Sequence, residues 1–174
     1  YAPEIIQVMV GYGDVDQKVL IANSEGLLVE DRRVRTRLVI QSIASNGSEN
    51  QTGFEGPGRY MGFEMFEIID PEYYAKEASR MAITMLNADL CPAGRMPVVI
   101  DNGFGGVIFH EACGHALEAT SVAKGHSVFT GKIGEKIASD KVTAIDDGTI
   151  PNAWGSINID DEGIPSQKKT LIEN

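Results

Sequence analysis

The chain has 174 residues, 43% of them hydrophobic and 23% charged, which is ordinary for a globular protein and excludes a disordered tail or a collagen-like repeat. Its 15 basic and 25 acidic residues leave a formal net charge of −10, a balance that repels phosphate backbones and argues against nucleic acid as a partner. Two cysteines, Cys91 and Cys113, are too few for a disulfide framework and have no CxxC spacing, so a reducing cytoplasm is the expected setting.

No apolar run approaches the ~20 residues that span a bilayer, so no membrane partner is expected. The opening Tyr1-Ala2-Pro3-Glu4 has neither the basic nor the apolar part of a secretory leader. With no initiator Met and an end at Leu171-Ile172-Glu173-Asn174, the chain reads as a segment of something longer.

The first third has β character. Ile5 to Val10 and Lys18 to Ala22 are candidate strands, and Asn23-Ser24-Glu25-Gly26 has turn chemistry. Gly26 to Glu30 leads into the longest strand signal, Val34 to Ala44. Val34, Thr36, Leu38 and Ile40 share one face there, and Arg33, Arg35 and Arg37 share the other. Period-two alternation with a charged face predicts an antiparallel sheet with one solvated side. Asn46 to Gly58, rich in Gly, Asn, Ser and Glu, is expected to be a mobile loop before a short strand near Tyr60 to Phe66.

A helix is predicted from Asp70. Asp70 suits the N-cap, Pro71 the first helical position, and Glu72 the positive end of the dipole. Tyr74, Ala78, Met81, Ala82 and Met85 recur at helical spacing as an apolar stripe, with Met81 and Met85 expected to fill the core. Cys91-Pro92-Ala93-Gly94 closes the element. Met96 to Ile100 is a candidate strand, Asp101 to Gly106 a loop, and Val107 to Thr120 a buried, mostly apolar helix. From Ser127 onward short strands are expected, with turns at Asp147-Gly148, Pro151-Asn152 and Glu162-Gly163.

That last helix carries the chemistry. Two of three histidines fall in His110-Glu111-Ala112-Cys113-Gly114-His115, an HExxxH pattern one residue longer than the HExxH of zinc peptidases. Two neutral imidazoles suit zinc, and a neighbouring carboxylate can take a proton from the water that the metal activates. At ~100° per residue, i and i+4 lie ~40° apart on an α-helix but i and i+5 lie ~140° apart. A π-type turn of roughly 4.4 residues brings them within ~50°. Gly114 offers little side-chain resistance to such a distortion, so a distorted helix is predicted at Cys113-Gly114.

A third ligand is not evident. Glu118 and His126 are the local candidates, followed by Asp146, Asp147, Asp160, Asp161 and Glu162, although acid-Gly pairs mostly mark turns. Cys113 is expected to be structural. Gly103-Phe104-Gly105-Gly106 matches no phosphate-binding fingerprint and suits close packing.

With the motif in view, the chain resembles the TldD/PmbA family of metallopeptidases. The resemblance lies in His110 to Glu118, in Pro92-Ala93-Gly94-Arg95-Met96-Pro97-Val98-Val99, in Ser127 to Glu135, in Asp146-Asp147-Gly148-Thr149 and in Asp160 to Pro165. The family has a TldD branch that keeps HExxxH and a PmbA (TldE) branch that lacks it, so this chain resembles the first. The resemblance implies zinc on His110 and His115, Glu111 as general base, and a third ligand, a Cys, in a C-terminal β-rich domain far downstream. It also implies a cytoplasmic homodimer or a heterodimer with a TldE/PmbA-type partner, acting on unfolded peptides in peptide maturation or protein turnover.

The expected fold is α+β: an antiparallel sheet with packed helices, followed by the start of a β-rich C-terminal domain. Residues 1–100 are expected to belong to an N-terminal α+β domain, and 101–174 to hold the HExxxH helix and the start of the next. Isolated, the segment is expected to be inactive. The competing reading is a non-catalytic assembly subunit of a TldD/TldE-type complex, with the Arg-striped strand as its docking surface.

Overall fold

The computed structural model describes residues 2–173, and its architecture is α+β, as expected. Two compact units divide the chain: one runs to Cys91 and takes in Asp147–Lys168, and the other spans Pro92–Asp146 and resumes at Lys169.

The first unit is built on one long hairpin. Strand β1, Ile5–Ala22, pairs antiparallel with β2, Leu28–Ser45, in a register that sets Val10 opposite Ile40 and Tyr12 opposite Leu38. The expected separate strands are therefore continuous. Gly11, Gly13, Asp14 and Asp16 have poor intrinsic strand preference, but pairing along β2 overrides it. The turn forms where predicted: the Asn23 side-chain oxygen accepts from the amides of Glu25 and Leu27, both at 3.0 Å, and Gly26 takes φ +95°.

Two expectations fail after β2. Asn46 to Gly58 is not a mobile loop; it is a tight turn followed by β3, Asn50–Glu55, paired with β2, and then by β4, Gly58–Arg59. Asn46 makes the turn by accepting from Ser48 and Glu49 amides at 3.0 and 2.9 Å. Polar composition concealed the strand because most of its side chains lie toward solvent or the sheet edge. The expected strand at Tyr60 to Phe66 is instead a 3-10 turn, Phe63–Glu67, started by a Gly62 amide that donates to Glu64.

Helix α1, Pro71–Leu86, begins as predicted, with the Asp70 carboxylate accepting from the Glu72 amide at 2.9 Å. At its other end the Asn87 side chain donates to the Ile83 carbonyl at 2.8 Å. The helix packs on the face of β2 and β3 that carries Leu38, Ile40, Ser42 and Ala44, and Met65, Ile69, Ala78, Ala82 and Leu86 complete the core. The buried stripe of the helix is Ala78, Ser79 and Ala82, with Leu86 at its end. Met81 and Met85, expected in the core, are 39% and 47% exposed. Ala78 and Ala82 bring the helix close to β3, and the longer Met81 and Met85 lie off that stripe. Gly53 of β3 lies at the closest approach: a Cβ there would collide with the Ala78 carbonyl oxygen and sit 2.6 Å from the Ala82 amide nitrogen.

The opposite face of β2 was expected to be solvated, and it is covered by the unit's own later segment. Arg33 pairs with Asp31 at 3.2 Å and Asp161 at 3.0 Å, and donates to the Ile159 carbonyl at 3.1 Å. Arg35 donates to the carbonyls of Trp154 and Ser156, both at 3.2 Å, and lies over the Tyr60 ring. Arg37 lies over the Trp154 ring. Guanidinium groups present five donors in a fixed fork and stack on aromatic faces, so a row of them can bind a returning chain through its carbonyls and rings. The predicted turns form here too: Asp147 accepts from Thr149, Asp160 accepts from Glu162 and Ile164, and Gly163 takes φ +82°.

In the second unit the expected strand at Met96 to Ile100 does not form, and among the described residues no position from 87 to 143 is buried. The segment Val107 to Thr120 was expected to be a buried helix, yet Ile108 and Phe109 face solvent. Strands β5, Ala144–Asp147, and β6, Lys168–Ile172, pair as a two-stranded sheet. No helix among the described residues is long and apolar enough to cross a membrane.

Candidate metal centre

The HExxxH segment is reached through a 3-10 turn, Gly103–Gly106. Gly103 takes φ +85°, and a Cβ at Gly105 would lie 2.5 Å from the Ile100 side chain. A Cβ would meet no neighbour within 4 Å at Gly103 or Gly106, so close approach is confined to Gly105, and neither Asp101 nor Asn102 caps the turn through its side chain.

Three distinct helical turns follow. Val107–Phe109 is α, His110–Gly114 is π, and His115–Leu117 is 3-10. The π-turn sits where the i+5 spacing requires it. It brings the rings of His110 and His115 edge to face with centroids 4.4 Å apart. Gly114 is not sterically demanded, since an added Cβ would meet His110 no closer than 3.7 Å.

Glu111 joins the pair, with its Oε2 3.8 Å from His115 Nε2. One ligand atom from each of His110, Glu111 and His115 lies within 4.8 Å of the others, one such group of three among the described residues. Zinc takes nitrogen and oxygen ligands at about 2.0–2.2 Å. All three side chains are exposed, so rotation about their χ angles can bring both imidazoles to one ion with the Glu111 carboxylate beside it. Two imidazoles are ordinary zinc donors, and the Glu111 carboxylate beside them is placed to reach a water on the ion rather than to bind it, so the residues fit.

The remaining candidates divide. Glu118 stands outside the group, and its Oε1 is 2.8 Å from His115 Nδ1. That hydrogen bond raises the His115 pKa above the ordinary imidazole value; burial opposes the rise, and the charges of Glu111 and Glu118 add to it. Sequence reasoning weighed Glu118 only as a ligand; its i+3 offset from His115 was the signal for a direct side-chain contact. His126 is exposed and outside the group, as is half-buried Cys113. Asp147 and Asp160 are engaged in their turns and Asp161 with Arg33. Ser127 fastens the following loop by donating to the Ala116 carbonyl while accepting from the Phe129 amide.

Comparison with known proteins adds a family context. Residues 1–86 match the PmbA/TldA metallopeptidase central domain, and residues 93–174 match the C-terminal domain of the same family. A Haemophilus influenzae protein named as a metalloprotease TldD homolog is 42% identical over 98% of the chain, which spans 36% of that relative. A Methanothermobacter thermautotrophicus metalloprotease is 39% identical over 98% of the chain and 37% of its own length. Among solved structures, a Thermotoga maritima protein described as a proposed modulator of a DNA gyrase superposes with a TM-score of 0.83 at 27% identity, covering 99% of this chain and 39% of the other. TldE from Thermococcus kodakarensis shares the fold, with a TM-score of 0.69 at 23% identity over 94% of this chain and 36% of its own. The chain thus spans little more than a third of the curated relatives it matches.

Proposed function

Because the chain belongs to the TldD/PmbA metallopeptidase family, we propose that it carries the zinc-binding and proton-transfer part of a peptidase that cleaves unfolded peptides. The observation that carries this reading is the His110–Glu111–His115 group assembled by the π-turn. His110 and His115 hold the zinc, and the remaining coordination comes from outside this group. When bound, zinc polarises a carbonyl and lowers the pKa of water to about 7.

Glu111 is the general base. Its carboxylate is exposed and stands beside the imidazole pair, so it can take the proton of the attacking water and return it to the leaving amine. A substrate in extended form suits a peptidase that reads backbone rather than sequence. We propose a cytoplasmic setting and a dimer, either of two copies or with a TldE/PmbA-type partner. The competing assembly-subunit reading loses its named docking surface, since Arg33 and Arg35 already bind the chain's own carbonyls and carboxylates.

The test is E111Q in the full-length protein. Turnover of an unfolded peptide is expected to fall by about 10²–10⁴-fold while zinc content stays at the wild-type level. Undiminished hydrolysis would remove Glu111 from the mechanism.

A further inference from the structure

The geometry points to Glu118 as the positioning residue of the metal centre: it holds His115 in the tautomer that leaves Nε2 free for the ion. This rests on the metallopeptidase reading above and deepens it. The two nitrogens of the His115 ring have different surroundings. Nδ1 lies 2.8 Å from Glu118 Oε1, a full hydrogen bond, whereas Nε2 lies 3.8 Å from Glu111 Oε2, beyond hydrogen-bond range. An ionised carboxylate only accepts, so Nδ1 is the nitrogen that carries the proton. In the neutral ring Nε2 then holds the lone pair, on the side that faces Glu111.

The backbone explains why Glu118 is available for this. The 3-10 turn ends at Leu117, and Glu118 leaves the helix with φ −62° and ψ 127°. Its carbonyl is held by the amides of Ser121 and Val122, at 3.0 and 3.1 Å, which start the next helical piece, Ala119–Ala123. Glu118 is thus anchored through its main chain while its side chain meets the ring three residues back. It supplies none of the three clustered ligand atoms. A carboxylate behind a ligating histidine fixes the ring's orientation and raises its basicity, and losing such a partner costs about 10–100-fold in metal affinity.

The experiment titrates the full-length protein with zinc alone, against a competing chelator, and with cobalt(II) as a spectroscopic probe, for wild type, E118A and E118Q. E118A is expected to bind zinc about 10–100-fold more weakly with the shape of the cobalt spectrum unchanged. E118Q, whose amide oxygen still accepts from Nδ1, is expected to recover most of the loss. Circular dichroism accompanies each variant, and E118D, which keeps the charge on a shorter stem, carries the comparison if E118A does not fold. Equal affinity in wild type and E118A overturns the inference alone. So does an E118Q as weak as E118A with an altered cobalt spectrum, which makes Glu118 a ligand. A wild type that binds neither ion overturns the metallopeptidase reading together with this inference.

Discussion

His110 and His115 face each other with ring centroids 4.4 Å apart although five residues separate them. On a regular α-helix the same two residues would lie ~140° apart. The pair exists because the backbone widens for one turn, and the metal reading depends on both rings. H110A or H115A should therefore cost more than the roughly 100-fold assigned to a carboxylate that only hydrogen-bonds a ligating ring, enough to bring the zinc content of the full-length protein to background. Elemental analysis after gentle purification measures this, with E111Q as the control that keeps its metal.

Gly53 offers a test of the helix–sheet contact. A methyl group there runs into backbone atoms of Ala78 and Ala82, and backbone cannot rotate away. G53A should destabilise the first unit by about 1–3 kcal/mol, the usual cost of overpacking, read as a shift in the urea midpoint.

Ser42 and Ser79 are buried and 2.9 Å apart, and Ser79 also donates to the Ala75 carbonyl at 2.9 Å. Each hydroxyl has one proton, so Ser42 must donate to Ser79. S79A leaves the Ser42 donor unpaired and should cost about 1–3 kcal/mol, whereas S42A leaves Ser79 bonded to Ala75 and should cost less. The double variant should lie close to S42A alone, so a double-mutant cycle in urea will show strong non-additivity.

Asp31 binds the Arg-face network from below, with its side chain 4% exposed beside Arg33 at 13%. Burial pushes its pKa up, but hydrogen bonds from Asn158, Arg33 and the Arg32 backbone, with the Arg33 charge, prevail and hold it below the ordinary aspartate value. A folded pKa below the unfolded ~3.9 means that ionised Asp31 stabilises the fold above that value and ceases to do so as the pH falls through the folded one. D31N should be less stable than wild type at neutral pH by about 1–3 kcal/mol. The gap should close as the pH is lowered through the ordinary aspartate range and below it, which paired urea titrations at acid pH will reveal.

Legibility in the sequence followed how local each signal was. The Asp70 cap, the Asn23–Gly26 turn and the alternation of Thr36, Leu38 and Ile40 are set within a few residues, and each was found where expected. The π-turn was legible because the spacing of His110 and His115 admits few backbones that join them. What was hidden depends on distant partners. Strand β3 is held by β2 and by the small face of α1, not by its own polar residues. The Arg face looked solvated because its partners, Trp154 to Asp161, come more than a hundred positions later. Glu118 was visible as an acid near two histidines, but which nitrogen it meets is a property of the bent backbone.

The discontinuity of the first unit has a consequence in time. Arg33 and Asp161 are 128 positions apart, so at about 5–20 residues per second a ribosome needs about 6–26 s between them. For that interval a nascent hairpin emerges with Arg33 and Arg35 limited to nearby partners such as Asp31 and Tyr60, and with its closing segment not yet made. A fragment cut at residue 86, the edge of the matched central domain, would stay in that state permanently, with Arg33 and Arg35 deprived of the carbonyls that receive them.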